Sequence, residues 1–519
     1  MDLLLLGSRY FQEALTGLGH RVVHFKGDGR PDPHLPEVLA GLSFRPQAVV
    51  LTDDLGRRVL PTGLEGVDLP KVWYGVDGPI NFFWHKHWAA LFDLVLIDQK
   101  QSARQVEAYA ARPVLWLPVA VDTAVYQGRP GRKACDLAFV GVINPKVRPK
   151  RSRILDRLAR RFHVVVAGGR QGRWVSPGEA GALYRSARIV LNENLFPGVT
   201  TRMFEATAAG SFLLTEGGAE GLGEIFRPGR EMDVYGPEDL VEKVAYYLGH
   251  EKEREEAAAR GRAKTLAGHD IRHRAGFLVE KIEGLPPGAG SVDEGLRCRE
   301  QGKALFLVGL RWPGHDGPGR RRRAETMLAR AVALGAGDPE TFLYLGQAAW
   351  LRRDFQQARS LFFTAAEAGS VRAALALGHL AAAGPAAALF QKAALRAGFD
   401  FPTSFGPAGS LTADQHYLLG RTLEARGHGL CPGFSRYGLA PLFWTALEHY
   451  RTALETDPGH VPTLKALGEL LCAHGAFVEA QEFMARAAGL APDELDLAAA
   501  AARTARRGYF SEEEARKVA

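Results

Sequence analysis

The stretch Ile189-Val-Leu-Asn-Glu-Asn-Leu-Phe-Pro-Gly-Val-Thr-Thr-Arg-Met-Phe-Glu-Ala-Thr-Ala-Ala-Gly210 holds the densest set of residues able to do chemistry: an apolar run, a polar loop, then a helical pattern. A helix that begins after Val199 turns unpaired backbone N–H groups and the positive end of its dipole toward the preceding loop, which suits an anion. Thr200 and Thr201 add hydroxyl donors, Arg202 adds a cation, and Asn194 and Val199 belong to the same loop. Glu205 lies on the first turns of the helix, where a carboxylate can accept hydrogen bonds from two ribose hydroxyls. The set suits a nucleoside diphosphate; a helix start that is only capped and packed is the alternative.

A second segment, Gly141-Val-Ile-Asn-Pro-Lys-Val-Arg-Pro-Lys-Arg-Ser-Arg153, lies between a predicted strand and a predicted helix. Gly141, which opens it, is a candidate donor-binding residue. Lys146, Arg148, Lys150 and Arg151 can pair with a leaving diphosphate, whose developing charge has to be met as the bond to the sugar breaks, or they form a solvated basic loop. Earlier in the chain, Trp73-Tyr-Gly-Val-Asp-Gly-Pro79 ends a strand and places Asp77 at its carboxyl end. Asp77 can act as general base on an acceptor hydroxyl, bind a substrate through hydrogen bonds, or cap the next helix. His85 and His87, on the aromatic-rich helix that follows, can replace it in that role or simply pack. Gly7-Ser8-Arg9 follows the first strand, without a full dinucleotide fingerprint.

These residues have to be positioned by strands. Apolar runs at 3–6, 22–25, 48–51, 72–74, 94–97 and 114–117 alternate with amphipathic stretches, and the pattern restarts after Gln127-Gly-Arg-Pro-Gly-Arg132 with runs at 137–140, 164–167, 189–191 and 212–215. Such alternation predicts two Rossmann-like α/β domains, at 1–125 and 126–285, with the site in the cleft where their strand ends meet. After Leu285-Pro-Pro-Gly-Ala-Gly-Ser291 the sequence is Ala- and Leu-rich with helical spacing, giving an all-helical region from 290 to 519. Tyr344-Leu-Gly346, Ala376-Leu-Gly378, Leu418-Leu-Gly420 and Ala466-Leu-Gly468 recur in it, followed by Phe355-Gln-Gln-Ala358 and Phe477-Val-Glu-Ala480. Gly346 and Gly378 are 32 apart and Gly420 and Gly468 are 48 apart, against the 34 of a tetratricopeptide repeat, and a Gly/Pro-rich insertion from Gly427 to Ala440 accounts for the surplus. Asp457-Pro458 and Ala491-Pro492 fall where that repeat closes. A helical domain that merely caps the rest is the alternative to a repeat solenoid.

With 519 residues the chain is too long for one core, and 46% hydrophobic with 24% charged residues describes an ordinary folded protein. A net charge of +7 favours anionic partners such as nucleotide phosphates but falls short of a nucleic-acid binder. Cys135, Cys298, Cys431 and Cys472 lie far apart with no C-x-x-C pair, which suggests neither a zinc site nor a disulfide framework and fits a cytoplasmic protein. No membrane-spanning run and no signal peptide is read. Asp53-Asp54 is too common a pair to mark a sugar-nucleotide metal motif, so no metal and no other cofactor is expected. Gly319-Arg-Arg-Arg-Arg323 reads as a solvated basic loop between helices.

Three groups of residues carry a family resemblance: Phe139-Val-Gly141; Thr-Arg-Met-Phe-Glu-Ala-Thr-Ala-Ala-Gly at 201–210; and Phe226-Arg-Pro-Gly-Arg-Glu231 with Asp239-Leu-Val-Glu-Lys243 and His269-Asp-Ile-Arg-His-Arg274. In these the chain resembles the donor half of GT-B glycosyltransferases, in particular the bacterial spore-maturation-like group. The resemblance implies that Glu205 binds the ribose, that the loop from Val199 to Arg202 contacts the diphosphate, that Arg151 stands just before the donor-domain helix, and that catalysis is metal-independent. Many retaining members carry a further glutamate with seven residues between it and the ribose-binding one; Pro197 stands there in this chain, so that pattern is incomplete. Fusion to repeats resembles, in reversed order, eukaryotic O-GlcNAc transferase, and flagellin glycosyltransferases of bacteria are a nearer analogue. The expectation is transfer of a sugar from a nucleotide to Ser or Thr of a protein recruited by the repeats, flagellin being the specific case. A surface-polysaccharide or lipid-linked-sugar transferase, and an inactive repeat scaffold, are the alternatives.

Overall fold

The computed structural model describes residues 1–25, 32–53, 58–110, 112–128, 132–143, 149–169, 173–194, 198–236, 238–285, 293–312, 316–370, 373, 412–425, 446–473 and 477–491. Lys146, Arg148, Asp54, Pro197, Cys431, Pro492, the repeat at 376–378 and the insertion at 427–440 lie outside them.

The apolar runs form strands because both faces of each are covered. Strands β1 (Asp2–Gly7), β2 (Arg21–His24), β3 (Ala48–Thr52), β4 (Lys71–Gly75), β5 (Leu94–Ile97) and β6 (Val114–Trp116) form an all-parallel sheet in the order β2-β1-β3-β4-β5-β6. A second parallel sheet contains β7 (Cys135–Val142), β8 (Val164–Gly169), β9 (Ala187–Asn192), β10 (Phe212–Glu216) and β11 (Asp233–Tyr235), in the order β11-β10-β9-β7-β8. The three-residue β11 is too short to show as an apolar run. Between β1 and β3, and again between β7 and β9, the strand order reverses, so the loops leaving those strands diverge and open a crevice at the carboxyl ends.

Helices α1 (Gln12–Gly17), α2 (Leu35–Ala40), α3 (Gly78–Trp88) and α4 (Lys100–Ala110) belong to the first sheet, and α5 (Thr123–Tyr126) leads out of it. The second carries α6 (Pro149–Ala159), α7 (Pro177–Ser186), α8 (Thr201–Ala208), α9 (Leu222–Ile225), α10 (Leu240–Gly249) and α11 (Glu251–Gly268). The next helix, α12 (Ile271–Glu283), returns to the first sheet. Ile271, Ala275, Leu278, Val279 and Ile282, spaced to form one helical stripe, enter the core of Leu3, Leu5, Val50 and Tyr74. Asp270 caps it while accepting from both the backbone N–H and the hydroxyl of Thr123, at 3.0 and 2.7 Å.

The helices that follow are built onto the first sheet rather than tethered to it. In α13 (Glu294–Arg311) nearly every residue from Glu300 to Leu310 is buried, because α3 packs on one side and α14 (Gly317–Ala333) on the other. The hydrophobic residues of α13, α14, α15 (Pro339–Leu351) and α16 (Phe355–Glu367) form one continuous core with Leu4, Val49, Trp73 and Val95 of the sheet. Buried polar links cross the same junction. His87 Nδ1 meets Glu300 Oε2 at 2.6 Å, and Gln301 Nε2 donates to the Pro61 carbonyl at 3.1 Å. Gly319–Arg323, expected as a solvated loop, is instead the first part of α14. Asp316 caps that helix, and the fully buried Arg320 binds Asp32 at 2.6 Å.

The repeat glycines sit where helices pair. A Cβ on Gly346 would come within 2.6 Å of Phe362, one on Gly420 within 2.3 Å of Tyr450, and one on Gly468 within 2.8 Å of Met484. The helices Ala413–Ala425 with Ala446–Thr456, and Val461–Ala473 with Phe477–Leu490, are paired in this way. Gly302 extends the pattern to α13 and α14, facing Leu328 at 2.8 Å.

Candidate functional site

Loops leaving β7 and β9 meet the start of α8 at the reversal point of the second sheet, and Gly141, Arg151, Asn194, Thr200 and Arg202 of the predicted donor residues lie there. Gly141, one residue before the end of β7, has φ +149°, and a Cβ on it would lie 3.2 Å from Arg202 Nη2 and 3.5 Å from Arg151 Nη1. The glycine thus lets two guanidinium groups converge beside the backbone. Both lie over the Phe139 ring, Arg151 at 5.0 Å and Arg202 at 4.5 Å from its centroid. Arg202 is fixed by Nη1 donating to Asn192 Oδ1 at 2.7 Å and Nη2 to the Val140 carbonyl at 2.6 Å, while its buried Nε has no hydrogen-bond partner. Arg151 donates from Nε to Glu193 Oε2 at 2.6 Å and from Nη1 to the Val142 carbonyl at 2.9 Å. Lys150 Nζ donates to both oxygens of Glu216 at 3.1 Å and to the Asn194 carbonyl at 2.8 Å. Asn194 is itself buried, its N–H on Glu216 Oε2 at 3.2 Å. Burial pushes the Glu216 carboxyl up. Glu193 and Glu216 join this cluster without being among the predicted site residues; each directly follows or ends a strand, which is the signal available for them.

The start of α8 is not capped by its own N-cap side chain. Thr200 is its N-cap but makes no side-chain cap bond; its hydroxyl donates instead to Asn192 Oδ1 at 3.2 Å. Among the described residues no side-chain hydrogen bond caps the first-turn N–H groups, and Thr201 is exposed. Glu205, one turn on, is half-buried and accepts from the Tyr184 hydroxyl at 3.0 Å. Val199 differs from expectation. Its N–H donates to Gln99 Oε1 and its carbonyl accepts from Gln99 Nε2, both at 3.0 Å, so its backbone is engaged by the first half of the chain rather than turned to a diphosphate.

Across that contact lie the carboxyl ends of the first sheet. Asp77, half-buried, has φ +54° and ψ +41°, the left-handed region that a non-glycine residue rarely adopts. Its N–H donates to Asp98 Oδ2 at 3.0 Å and that of Gly78 to Asp98 Oδ1 at 3.3 Å. Asp98, immediately after β5, is 2% exposed, and burial together with the neighbouring Asp77 charge pushes its carboxyl up to about 7. His85 does not face this opening. It is fully buried between Trp73 and Trp84, its Nε2 3.0 Å from Asp53 Oδ2, and burial lowers its pKa. The imidazole is a packing group in the wall, out of a substrate's reach, and Asp53 accepts from Trp73 Nε1 at 2.8 Å in the same network. His87 is likewise enclosed, in the junction with α13. Among the described residues no group of three histidine, cysteine or carboxylate side chains is placed to hold a metal ion.

Two parallel sheets that turn their strand ends toward one another, cations on one side and carboxylates on the other, define a GT-B architecture with a helical extension. Residues 148–280 match the family described as glycosyl transferase-like, and residues 445–504 match the tetratricopeptide repeat. Among solved structures the chain is similar to Anabaena HepE in complex with UDP-glucose, at 12% identity over 55% of this chain and 100% of that one, with a TM-score of 0.40. It is similar to sucrose-phosphate synthase of Thermosynechococcus elongatus at the same identity, coverage and TM-score of 12%, 55% and 100%, and 0.40. A third is AviGT4, a glycosyltransferase involved in avilamycin A biosynthesis, at 16% identity over 55% and 98% of the two chains and a TM-score of 0.37. No curated protein matches. The family match, lying on the half that holds the cationic site, supports a transferase.

Proposed function

We propose that the chain transfers a sugar from a nucleotide-sugar donor to a Ser or Thr hydroxyl of a protein acceptor in the bacterial cytoplasm, flagellin being the specific candidate. The observation that carries the donor half is the convergence of Arg151 and Arg202 on Gly141 beside an α8 start with no side-chain cap, with Glu205 one turn further along. A diphosphate fits between the guanidinium groups and the first-turn N–H groups, and the ribose hydroxyls fall to Glu205. The acceptor oxygen attacks the anomeric carbon, the bond from that carbon to the diphosphate breaks, and its electron pair stays on the diphosphate oxygen, where Arg151 and Arg202 meet the charge. The hydroxyl proton passes to Asp77 on the opposite side. Lys150, Thr200, Thr201 and Asn194 shape the donor loop. The division into 1–125, 126–285 and 290–519 assigns acceptor side, donor side and recruitment, with α12 returning to the first unit and α13 sharing its core. Support for a polypeptide acceptor comes from the tetratricopeptide match, since paired-helix arrays present extended concave faces.

The test incubates the full chain with radiolabelled nucleotide sugars and a library of Ser/Thr peptides. Transfer to peptide is expected. Label appearing only on a lipid-linked saccharide overturns the protein acceptor, and neither binding nor nucleotide release leaves a scaffold. Recruitment is tested by ending the chain at residue 370, because removal from 290 onward would strip α13 from a shared core. Peptide transfer by the shortened chain at the full-length rate overturns the role of the later repeats. Glu205→Ala is expected to raise the donor KM about 10- to 100-fold, the loss of hydrogen bonds to a charged group, measured by initial rates.

A further inference from the structure

We propose that Gln99 is a positioning residue that ties the donor loop before α8 to the acceptor-side carboxylates, so that the two sheet ends are held at one working distance. The proposal rests on the donor and acceptor roles given above for Arg202 and Asp77. The Gln99 carboxamide pairs with Val199 as one peptide group pairs with another: Oε1 accepts the N–H and Nε2 donates to the carbonyl, each at 3.0 Å. The second Nε2 hydrogen goes to Asp98 Oδ2 at 3.1 Å. Asp98 in turn receives the backbone N–H groups of Asp77 and Gly78. One unbroken set of hydrogen bonds therefore runs from the donor loop to the residue proposed as base. The orientation of the amide is dictated by its neighbours, since only the nitrogen can face two acceptors, Val199 O and Asp98 Oδ2.

Side-chain chemistry and space both single out this residue. Glutamate of equal length lacks the donors, and asparagine is a methylene short. A Cβ on Gly198 would fall 2.4 Å from Gln99 Oε1, so a glycine is what admits the amide to the loop. Two of the neighbouring links across the same opening are the ion pairs Lys100–Glu224 and Arg104–Glu220, in which Glu224 is 57% and Arg104 64% exposed; such pairs contribute little and weaken in salt. At the near end, Asp77 stays in its left-handed conformation because the surrounding bonds fix it, and the Asp98 acceptors are two of them.

Hydrogen exchange on the ligand-free full chain separates this inference from the functional reading. The Val199 amide is expected to lose protection in Gln99→Ala while the amides of β9 and β10 keep theirs; unchanged protection overturns the tie. In transfer assays Gln99→Ala is expected to lower kcat roughly 10- to 100-fold, the scale of a misplaced reacting group, with a smaller change in UDP affinity by calorimetry. An unchanged kcat overturns the positioning role. Gln99→Glu, of equal size but without a donor when ionised, is expected to show a kcat loss on the scale of Gln99→Ala at about pH 8. A wild-type kcat in that variant overturns the hydrogen-bonding account. If the wild-type chain binds none of UDP, GDP and ADP, the donor reading fails, and the exchange result still decides whether Gln99 ties the two halves.

Discussion

The two sheets share an architecture and end in opposite chemistry. The second reverses its strand order between β7 and β9, and Lys150, Arg151 and Arg202 collect at that opening around Glu193 and Glu216, leaving three cations against two carboxylates among the described residues. The first reverses between β1 and β3, yet its carboxyl ends present Asp53, Asp77 and Asp98, two of them buried. A parallel sheet thus supplies a crevice and little more. What distinguishes a cation-lined end from a carboxylate-lined one is the few side chains after each strand and what satisfies them. In the second half every cation named has a carboxylate or carbonyl partner, which fixes it in place before any ligand arrives, a form of preorganisation. In the first half the buried Asp53 and Asp98 carboxylates are held by backbone N–H groups, an indole, an imidazole and a carboxamide rather than by lysine or arginine in those bonds.

Removing Asp77, the proposed proton acceptor, is the sharpest way to break this division. Asp77→Asn is expected to lower kcat about 10²- to 10⁴-fold, the range for losing a general base, with donor affinity unchanged. An equal loss in donor affinity would place Asp77 with the nucleotide and erase the contrast. A smaller effect is expected from the other side. Arg202→Ala removes a charge and two fixed hydrogen bonds at the diphosphate position and is expected to cost about 10²- to 10³-fold in kcat/KM, comparable to the loss of one preorganised donor to a developing anion. Arg202→Lys should recover only part of this, since an ammonium cannot span Asn192 and Val140 together. If lysine restores full activity, the geometry built around Gly141 is irrelevant and charge alone suffices.

The sequence disclosed the contiguous part of this arrangement and concealed the part made by strand order. Thr200, Arg202 and Glu205 lie within six residues and one helix start, so their grouping is visible in the linear pattern. The ten apolar runs became strands for the same reason. The partners of Arg151, Asp77 and Val199 are 42, 21 and 100 residues away in the chain, and which strand ends adjoin is decided by packing of whole sheets. Gln99 and Asp98 therefore passed unnoticed although they follow β5 directly. His85 shows a different gap. Its helix is aromatic on several sides, with Phe83, Trp84 and Trp88 all buried, so periodicity does not reveal which face opens to solvent. The Gly319–Arg323 run misled because its helix is fixed by Asp32, which lies 288 residues before Arg320. The repeat glycines were legible since their facing residues, such as Phe362 for Gly346, sit within one repeat.

The smallest effect, and the one most specific to the carboxylate end, is the pH dependence of stability. Asp98 is a buried acid whose folded pKa, about 7, lies above its ordinary value of 3.8. Between those two values the folded chain binds more of this proton than the unfolded chain does, so stability contributed by Asp98 is full below the lower value, declines as pH rises toward 7, and is constant above it. Paired carboxylates that gain stability with rising pH act in the opposite direction. Asp98→Asn carries no proton to lose and is expected to be less stable than wild type at low pH, where it forfeits one of the acceptors for Asp77, Gly78 and Gln99, while the gap narrows toward pH 8. Urea midpoints of the full chain and the variant, taken from about pH 5 to about pH 8, measure that gap directly. Parallel curves for the two proteins would mean that Asp98 remains ionised throughout, that burial and the Asp77 charge do not raise it, and that the first sheet's end is simply polar rather than poised to take up a proton.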